Sequence, residues 1–330
     1  MKDMIKTLVE AFGPSGRESV VSALLADLVR PFVDEVRSDN MGNLIAYKKG
    51  SGGGLRVMLA AHMDEIGLVV SHIDRKGFSR FQTVGGVSPL TLLGNRVRFA
   101  NGATGVVGWE YWLQKRELPK MEELFIDLGA TSPADAPVEV GDICCFDRPM
   151  VDLGKRLVAK AMDDRIACAV AAQTLIELGD TPNDVYAVFT TQEEVGPRGA
   201  MTAAFGIDPD VAVAIDVTDT GDTPKAAFMA VELGGGPAVK IKDSGMIAHE
   251  GVKDWMIRSA EAAGIPYQRE VLDAGTTDAM VIQTTRAGIP SGCLSIPCRH
   301  IHTPSEMVDH GDVLNSVRLL KAMLSEPIAI

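Results

Sequence analysis

The sequence predicts an α/β fold: a mixed-sheet α/β domain into which a small β-barrel-like domain is inserted. Three observations carry that expectation. Apolar runs of strand length end repeatedly in acidic residues or histidines. Between about residues 67 and 156 the pattern changes to short β runs divided by Gly-rich turns. After Lys160 the alternation of strand-like and helical segments returns and persists to the end of the chain.

Residues 1–66 are read as the first part of the α/β domain, 67–156 as the insertion and 157–330 as the second part. Leu8, Val9 and Phe12 fall at helical spacing before the break Gly13-Pro14-Ser15-Gly16. Ser15-Gly16-Arg17-Glu18 resembles a capped start to a second helix, whose apolar positions are Val20, Val21, Leu24, Leu25, Leu28 and Val29. The run Val57 to Ala61 reads as a buried strand and ends in His62-Met63-Asp64. Two-residue spacing at a strand end puts His62 and Asp64 on one face, where an imidazole can bind a metal while a carboxylate fixes its tautomer.

Inside the insertion, Gly85-Gly86-Val87, Gly94-Asn95-Arg96-Val97, Gly102-Ala103-Thr104-Gly105 and Gly141-Asp142 mark turns. Beyond it, Lys160-Ala161-Met162-Asp163-Asp164-Arg165 leads into an Ala-rich helical run from Ile166 to Leu178. A strand from Val185 to Thr191 ends in Gln192-Glu193-Glu194-Val195-Gly196, and one from Val211 to Ile215 ends in Asp216. Leu294 to Pro297 runs into Arg299-His300-Ile301-His302-Thr303-Pro304. In an open α/β sheet these strand ends share the carboxyl edge, where ligands bind.

Composition excludes several function classes. No apolar run approaches the ~20 residues of a membrane span, and Met1 to Lys6 lack the apolar centre of a signal peptide. A formal charge of −12 argues against nonspecific nucleic-acid binding. Neither nucleic acid nor membrane is therefore an expected partner. The five cysteines (Cys144, Cys145, Cys168, Cys293, Cys298) form no Cys-x-x-Cys pair, and their odd number suits a reducing cytoplasm. Ser51-Gly52-Gly53-Gly54 and Gly234-Gly235-Gly236-Pro237 lack the Lys-Ser/Thr and helix of a phosphate-binding loop and read as turns.

The constellation that remains is His62, Asp163, Glu194, Asp216 and His302, with Asp64 and Glu193 beside it. Taken singly, Glu193-Glu194 would most often be a solvated acidic pair, Asp163-Asp164 a helix N-cap and Asp216 a turn residue. Taken together at strand ends, two histidines and three carboxylates suit two divalent ions better than one. A carboxylate shared by both ions is best filled by Asp163, leaving His62 and Asp216 to one ion and His302 and Glu194 to the other. Without a thiolate, zinc and cobalt are favoured and manganese is feasible. Glu193 diverges from its neighbour and is free to act as general base in metal-assisted hydrolysis of an acyl bond. His72, His249 and His310 read as surface residues. His300 is the one rival to His302, facing the opposite way if the segment is extended.

These segments resemble a known family. Ala61-His62-Met63-Asp64-Glu65-Ile66-Gly67, Lys160 to Arg165, Thr191-Gln192-Glu193-Glu194-Val195-Gly196, Ile215-Asp216-Val217-Thr218 and His300-Ile301-His302-Thr303-Pro304-Ser305-Glu306 look like the five motifs of the tetrahedral aminopeptidases. That family comprises cytoplasmic dinuclear metallo-aminopeptidases of glutamyl, leucyl or deblocking type, some labelled endoglucanases. Leu124-Phe125-Ile126-Asp127-Leu128-Gly129-Ala130 also fits, and the likeness covers nearly the whole chain. The resemblance implies that Asp163 bridges, Glu193 is the base, Asp64 orients His62 and a non-proline cis peptide follows Asp163. It implies short peptides with a free N-terminus as substrates, and dimers that build into a hollow dodecamer. One departure is the segment Gly108-Trp109-Glu110-Tyr111-Trp112-Leu113-Gln114, more aromatic than the family leads one to expect. Its Trp109, Tyr111 and Trp112 read as a subunit contact, or else as rings packed inside the insertion.

Rival functions weigh less. A glycosidase needs two carboxylates flanking a sugar and no metal pair. A noncatalytic metal-binding protein would leave Glu193 without a task. An aminoacylase or deacetylase could use the same metal pair. By resemblance, Ala274-Gly275-Thr276-Thr277-Asp278-Ala279-Met280 borders the pocket for the first side chain. It carries no Lys or Arg, so neutral or apolar side chains are expected there unless Arg165 or Arg299 reaches in, or Asp278 receives a basic one.

Overall fold

The apolar runs become the centre of an 11-stranded mixed sheet in the computed structural model, which describes residues 1–110 and 118–330. Across its main path the strands are ordered Glu35–Ser38, Leu44–Lys48, Asp184–Thr190, Arg56–His62, Val211–Thr218, Ser291–Arg299, Glu306–Asp309, Arg156–Ala159 and Val151–Asp152. Ala238–Lys242 and Gln268–Val271 branch from Ser291–Arg299. The four central strands, from Asp184–Thr190 to Ser291–Arg299, run parallel, with Thr190 opposite His62 and Asp216 opposite Ser295. Their carboxyl ends therefore open on one edge.

Strand parity explains why these runs are apolar throughout. Val57, Leu59 and Ala61 pack on one face with Val213 and Ile215, under the helices Lys2–Glu10, Ser19–Val29, Met162–Glu177, Glu250–Ala262 and His310–Leu324. Met58, Ala60 and Ala212 pack on the other face, under Arg198–Ile207 and Ala279–Ile282. A strand covered on both faces has no polar side to show. Each fully buried Val, Leu or Ile contributes about 1.5–3 kcal/mol relative to exposure. The helix Met162–Glu177 is buried almost all round, which its run of Ala, Val, Ile and Cys permits.

The insertion is a closed six-stranded antiparallel barrel, ordered Gly67–Ile73, Ser79–Val84, Leu124–Asp127, Thr104–Trp109, Arg96–Phe99 and Ile143–Phe146. Closure gives each barrel strand a neighbour on both sides. Leu68, Val70, Phe81, Val97, Phe99, Val107, Leu124, Ile126, Cys144 and Phe146 fill it. Cys144 points inward while Cys145 lies beside Glu65 and Lys160, the opposed orientations expected of neighbours in a strand. All five cysteines are buried and unpaired. The barrel strands end at Phe146, and Val151–Asp152 pairs with Arg156–Ala159 in the large sheet.

One expectation is corrected here. Ser15 caps no helix: the second helix starts at Ser19 behind Glu18, without a side-chain cap. Of the two readings of the aromatic segment, Trp109 fits packing in the insertion: it is half-buried against the barrel core and its indole N–H donates to Glu123. Tyr111 and Trp112 lie outside the described residues. No helix among the described residues is long and apolar enough to cross a membrane.

Candidate metal centre

Three adjacent parallel strands deliver His62, the Glu193-Glu194 turn and Asp216 to one cavity of about 580 Å³. Asp163 and His302 line the same cavity. The sequence-predicted ligands and base are thus brought together, and Asp64 lies immediately behind them, fully buried.

Asp163 faces both histidines. Its Oδ1 is 2.9 Å from His62 Nε2, and its Oδ2 is 3.3 Å from His302 Nε2. His302 Nε2 is also 3.2 Å from Glu194 Oε2. On the other side, His62, Asp164 and Asp216 offer ligand atoms within 4.8 Å of one another, and so do His62, Asp163 and Glu194. Asp163 reaches this position through a non-helical first turn of Met162–Glu177, with a left-handed Ala161 before it and a cis peptide to Asp164.

Behind His62, Asp64 does several things at once. His62 Nδ1 lies 3.2 Å from the Asp64 carbonyl and 3.4 Å from its Oδ1, which leaves Nε2 to face the cavity. Asp64 also accepts from Ser15 Oγ at 2.6 Å, from Glu193 N at 3.0 Å and from Glu194 N at 3.1 Å. One carboxylate therefore fixes both the histidine and the acidic turn. Glu18, half of the expected cap, instead accepts from Gly16 N and Gln192 N and anchors the start of that turn.

The electrostatics are those of a site short of positive charge. Burial pushes Asp216 up to about 8, with His62 opposing and Asp163 reinforcing. Burial raises Asp164 well above the ordinary carboxylate range, reinforced by Asp216, and raises Glu193 well above it too. Burial and then Asp163 raise Glu194. Burial alone would lower His302, but its hydrogen bonds to Asp163 and Glu194 outweigh that and push it up to about 11. Asp164 Oδ1 and Glu194 Oε1 are buried without a hydrogen-bond partner among the described residues. Acidic oxygens left unpaired beside two imidazoles fit divalent cations, which would meet the cost of clustering these carboxylates.

The sequence reading did not foresee several contributors. Asp164, weighed only as part of a cap, accepts from the His62 amide through Oδ2 at 3.2 Å. The Gly85-Gly86 turn of the barrel forms a wall of the site. A Cβ on Gly86 would lie 2.7 Å from His302 Nδ1, and one on Gly85 would lie 3.0 Å from Glu194 Oε2. Two glycines in sequence were the available signal.

His300 is exposed and outside the cavity. The segment is not extended, since His300 and His302 both have left-handed backbones, with φ of 61° and 60°. His72 and His249 are exposed and His310 is half-buried.

Ala274, Gly275, Thr276 and Met280 line the cavity with Leu272. Asp278 does not: it is buried behind them, accepting from Thr190 Oγ1 at 2.6 Å. Arg165 and Arg299 stay away as well. Arg165 is held by the Leu8 and Gly13 carbonyls, and Arg299 is bound to Asp222. Among the described residues Lys240 is the lysine or arginine that lines the cavity, and it is buried 3.0 Å from Glu270.

Known proteins share this arrangement of sequence and fold. Residues 42–319 match the family described as M42 glutamyl aminopeptidase. A putative aminopeptidase of Acetivibrio thermocellus is 46% identical, covering 97% of each chain. The solved structure of aminopeptidase APDkam598 from the archaeon Desulfurococcus kamchatkensis superposes with a TM-score of 0.95 at 44% identity, covering 98% of this chain and 94% of that one. The TET1 peptidase of Pyrococcus horikoshii, reported to assemble into a tetrahedron or a large octahedral shell, gives a TM-score of 0.86 at 29% identity over 98% of each chain. The chain belongs to the M42 family of aminopeptidases, which are hydrolases.

Proposed function

We propose that this protein removes the N-terminal residue from short peptides by hydrolysis, using two divalent cations and Glu193 as general base. The observation that carries the reading is the placement of Asp163, with one oxygen toward His62 and the other toward His302. That arrangement suits a carboxylate shared by two ions, with His62 and Asp216 completing one half and His302 and Glu194 the other. Asp64 orients His62, and Asp164 holds the His62 amide. With nitrogen and oxygen donors and no thiolate lining the cavity, zinc, cobalt and manganese are all suitable.

Such ions supply Lewis acidity, polarising the scissile carbonyl and making the attacking water more acidic. Glu193 does the proton work. It lines the cavity, and its amide is tied to Asp64, leaving its carboxylate to take a proton from the attacking water and return it to the leaving amine. Burial raises its pKa above the usual carboxylate range, the direction a general base needs. A free N-terminal amine is expected to be required, with the acidic lining of the cavity suited to a cationic ammonium group. The lining of Leu272, Ala274, Gly275, Thr276 and Met280 suits leucyl or methionyl side chains better than glutamyl ones. Lys240 is already committed to Glu270 and offers little to an acidic side chain.

The likeness to a self-assembling TET1 peptidase supports dimers that build into a hollow dodecamer, and we place the enzyme in the cytoplasm. Glu193→Gln tests the chemistry. It is expected to lower kcat at least ~10³-fold while both ions stay bound, because it removes the base and not a ligand. A variant with substantial activity overturns the assignment.

A further inference from the structure

Glu306 lies at the start of the strand Glu306–Asp309 and is 2% exposed. Its strand pairs antiparallel with Arg156–Ala159, with Ala159 opposite Glu306. That second strand runs directly into Lys160-Ala161-Met162-Asp163, so the register sets the Glu306 side chain across from Asp163. Its Oε2 accepts from the Asp163 amide at 2.9 Å, and its Oε1 accepts from the His302 amide at 2.9 Å. Neither amide has a ladder partner. Asp163 stands in the first turn of a helix, where N–H groups have no intrahelical acceptor, and His302 sits in a left-handed turn.

The two proposed ligand histidines are held differently. The His62 ring is oriented through its Nδ1 by Asp64. His302 Nδ1 makes no hydrogen bond among the described residues, and its ring is 37% exposed. Its Nε2 meets Asp163 and Glu194, and behind that end the ring is placed by its backbone and by the close approach of Gly86. Fixing the His302 amide is thus a means by which the fold aims that ring from behind, and the same carboxylate fixes the residue it faces.

We propose that Glu306 is a positioning residue: by accepting from both amides it sets the spacing between Asp163 and His302, and through it the affinity for the ion on the His302 side. This rests on the two-ion reading above. Both amides would otherwise be left without an acceptor, and partners of metal ligands typically contribute ~10–100-fold in metal affinity.

The test is Glu306→Gln. An amide keeps one acceptor oxygen and turns an N–H donor toward the other backbone N–H, so one of the two bonds is lost. Cobalt(II) is titrated into metal-stripped protein against a chelator, with the visible spectrum recorded and melting of the metal-free protein measured alongside. Wild type is expected to bind two ions. The variant is expected to bind one ion with nearly unchanged affinity and the second ~10–100-fold more weakly, with an altered cobalt spectrum and a metal-free melting point close to wild type. Both ions bound at wild-type affinity overturns the inference while leaving the two-ion reading intact. A lowered metal-free melting point with unchanged second-ion affinity also overturns it, since that is a purely structural role. Wild type that binds no second ion overturns the two-ion reading and this inference together. If the Gln variant does not fold, Glu306→Asp keeps the charge but is one methylene too short to span both amides. It is expected to show the same weakened second ion, and wild-type affinity there overturns the proposal.

Discussion

Asp163 stands between the two histidines of the cavity, each of its oxygens facing a different one, which is why the proposed centre takes it as the shared ligand. Burial alone would raise its pKa, but its hydrogen bonds to His302 and His62 hold it well below the usual range. Asp163→Ala is expected to leave fewer than two ions per chain by elemental analysis, since it removes a donor from both halves. Two ions retained would place the shared ligand elsewhere. At this scale the residue types were legible: His62, Asp163, Glu193, Glu194, Asp216 and His302 all stand in one cavity, as their strand-end positions suggested. What holds them was not legible. Ser15 reaches Asp64 across 49 residues and Glu306 reaches Asp163 across 143, and no local pattern carries such pairings. The choice between His300 and His302 was beyond parity too, because neither has an extended backbone.

At the scale of elements, the site is a product of parallel strands and one barrel turn. Alternation of Val57, Leu59 and Ala61 with Met58 and Ala60 sends successive side chains into two separate cores, and this makes the strand end rigid where His62 begins its work. The barrel was visible in sequence as spaced glycines, but its Gly85-Gly86 turn read as a bend alone. Its second function depends on a neighbour more than 200 positions away, since the space beside Gly86 is taken by the His302 ring. Gly86→Ala is expected to push that ring aside and to lower kcat/KM ~10–100-fold with little change in overall stability, as the turn is partly exposed. Unchanged kcat/KM in this variant would show that the ring has room to spare. The cap expected at Ser15 failed for a related reason: a local Ser-x-x-Glu pattern was outcompeted by the acidic turn, which draws Glu18 to the Gln192 amide and Ser15 to Asp64.

At the scale of the whole molecule, the chain combines a net charge of −12 with a carboxylate-lined cavity, so cations are favoured over anions in its neighbourhood. Light scattering at micromolar concentration is expected to find a particle of many subunits, and a monomer alone would reject the proposed assembly. The central claim, a metal-dependent aminopeptidase, is tested most directly by one panel assay. Metal-stripped protein is given zinc, cobalt or manganese and offered leucyl-, glutamyl- and N-acetyl-leucyl-nitroanilide. Activity that returns with metal, on leucyl faster than glutamyl and with the acetylated substrate untouched, is the predicted result. Release of nitroaniline without metal, or efficient cleavage of the acetylated substrate, would contradict it.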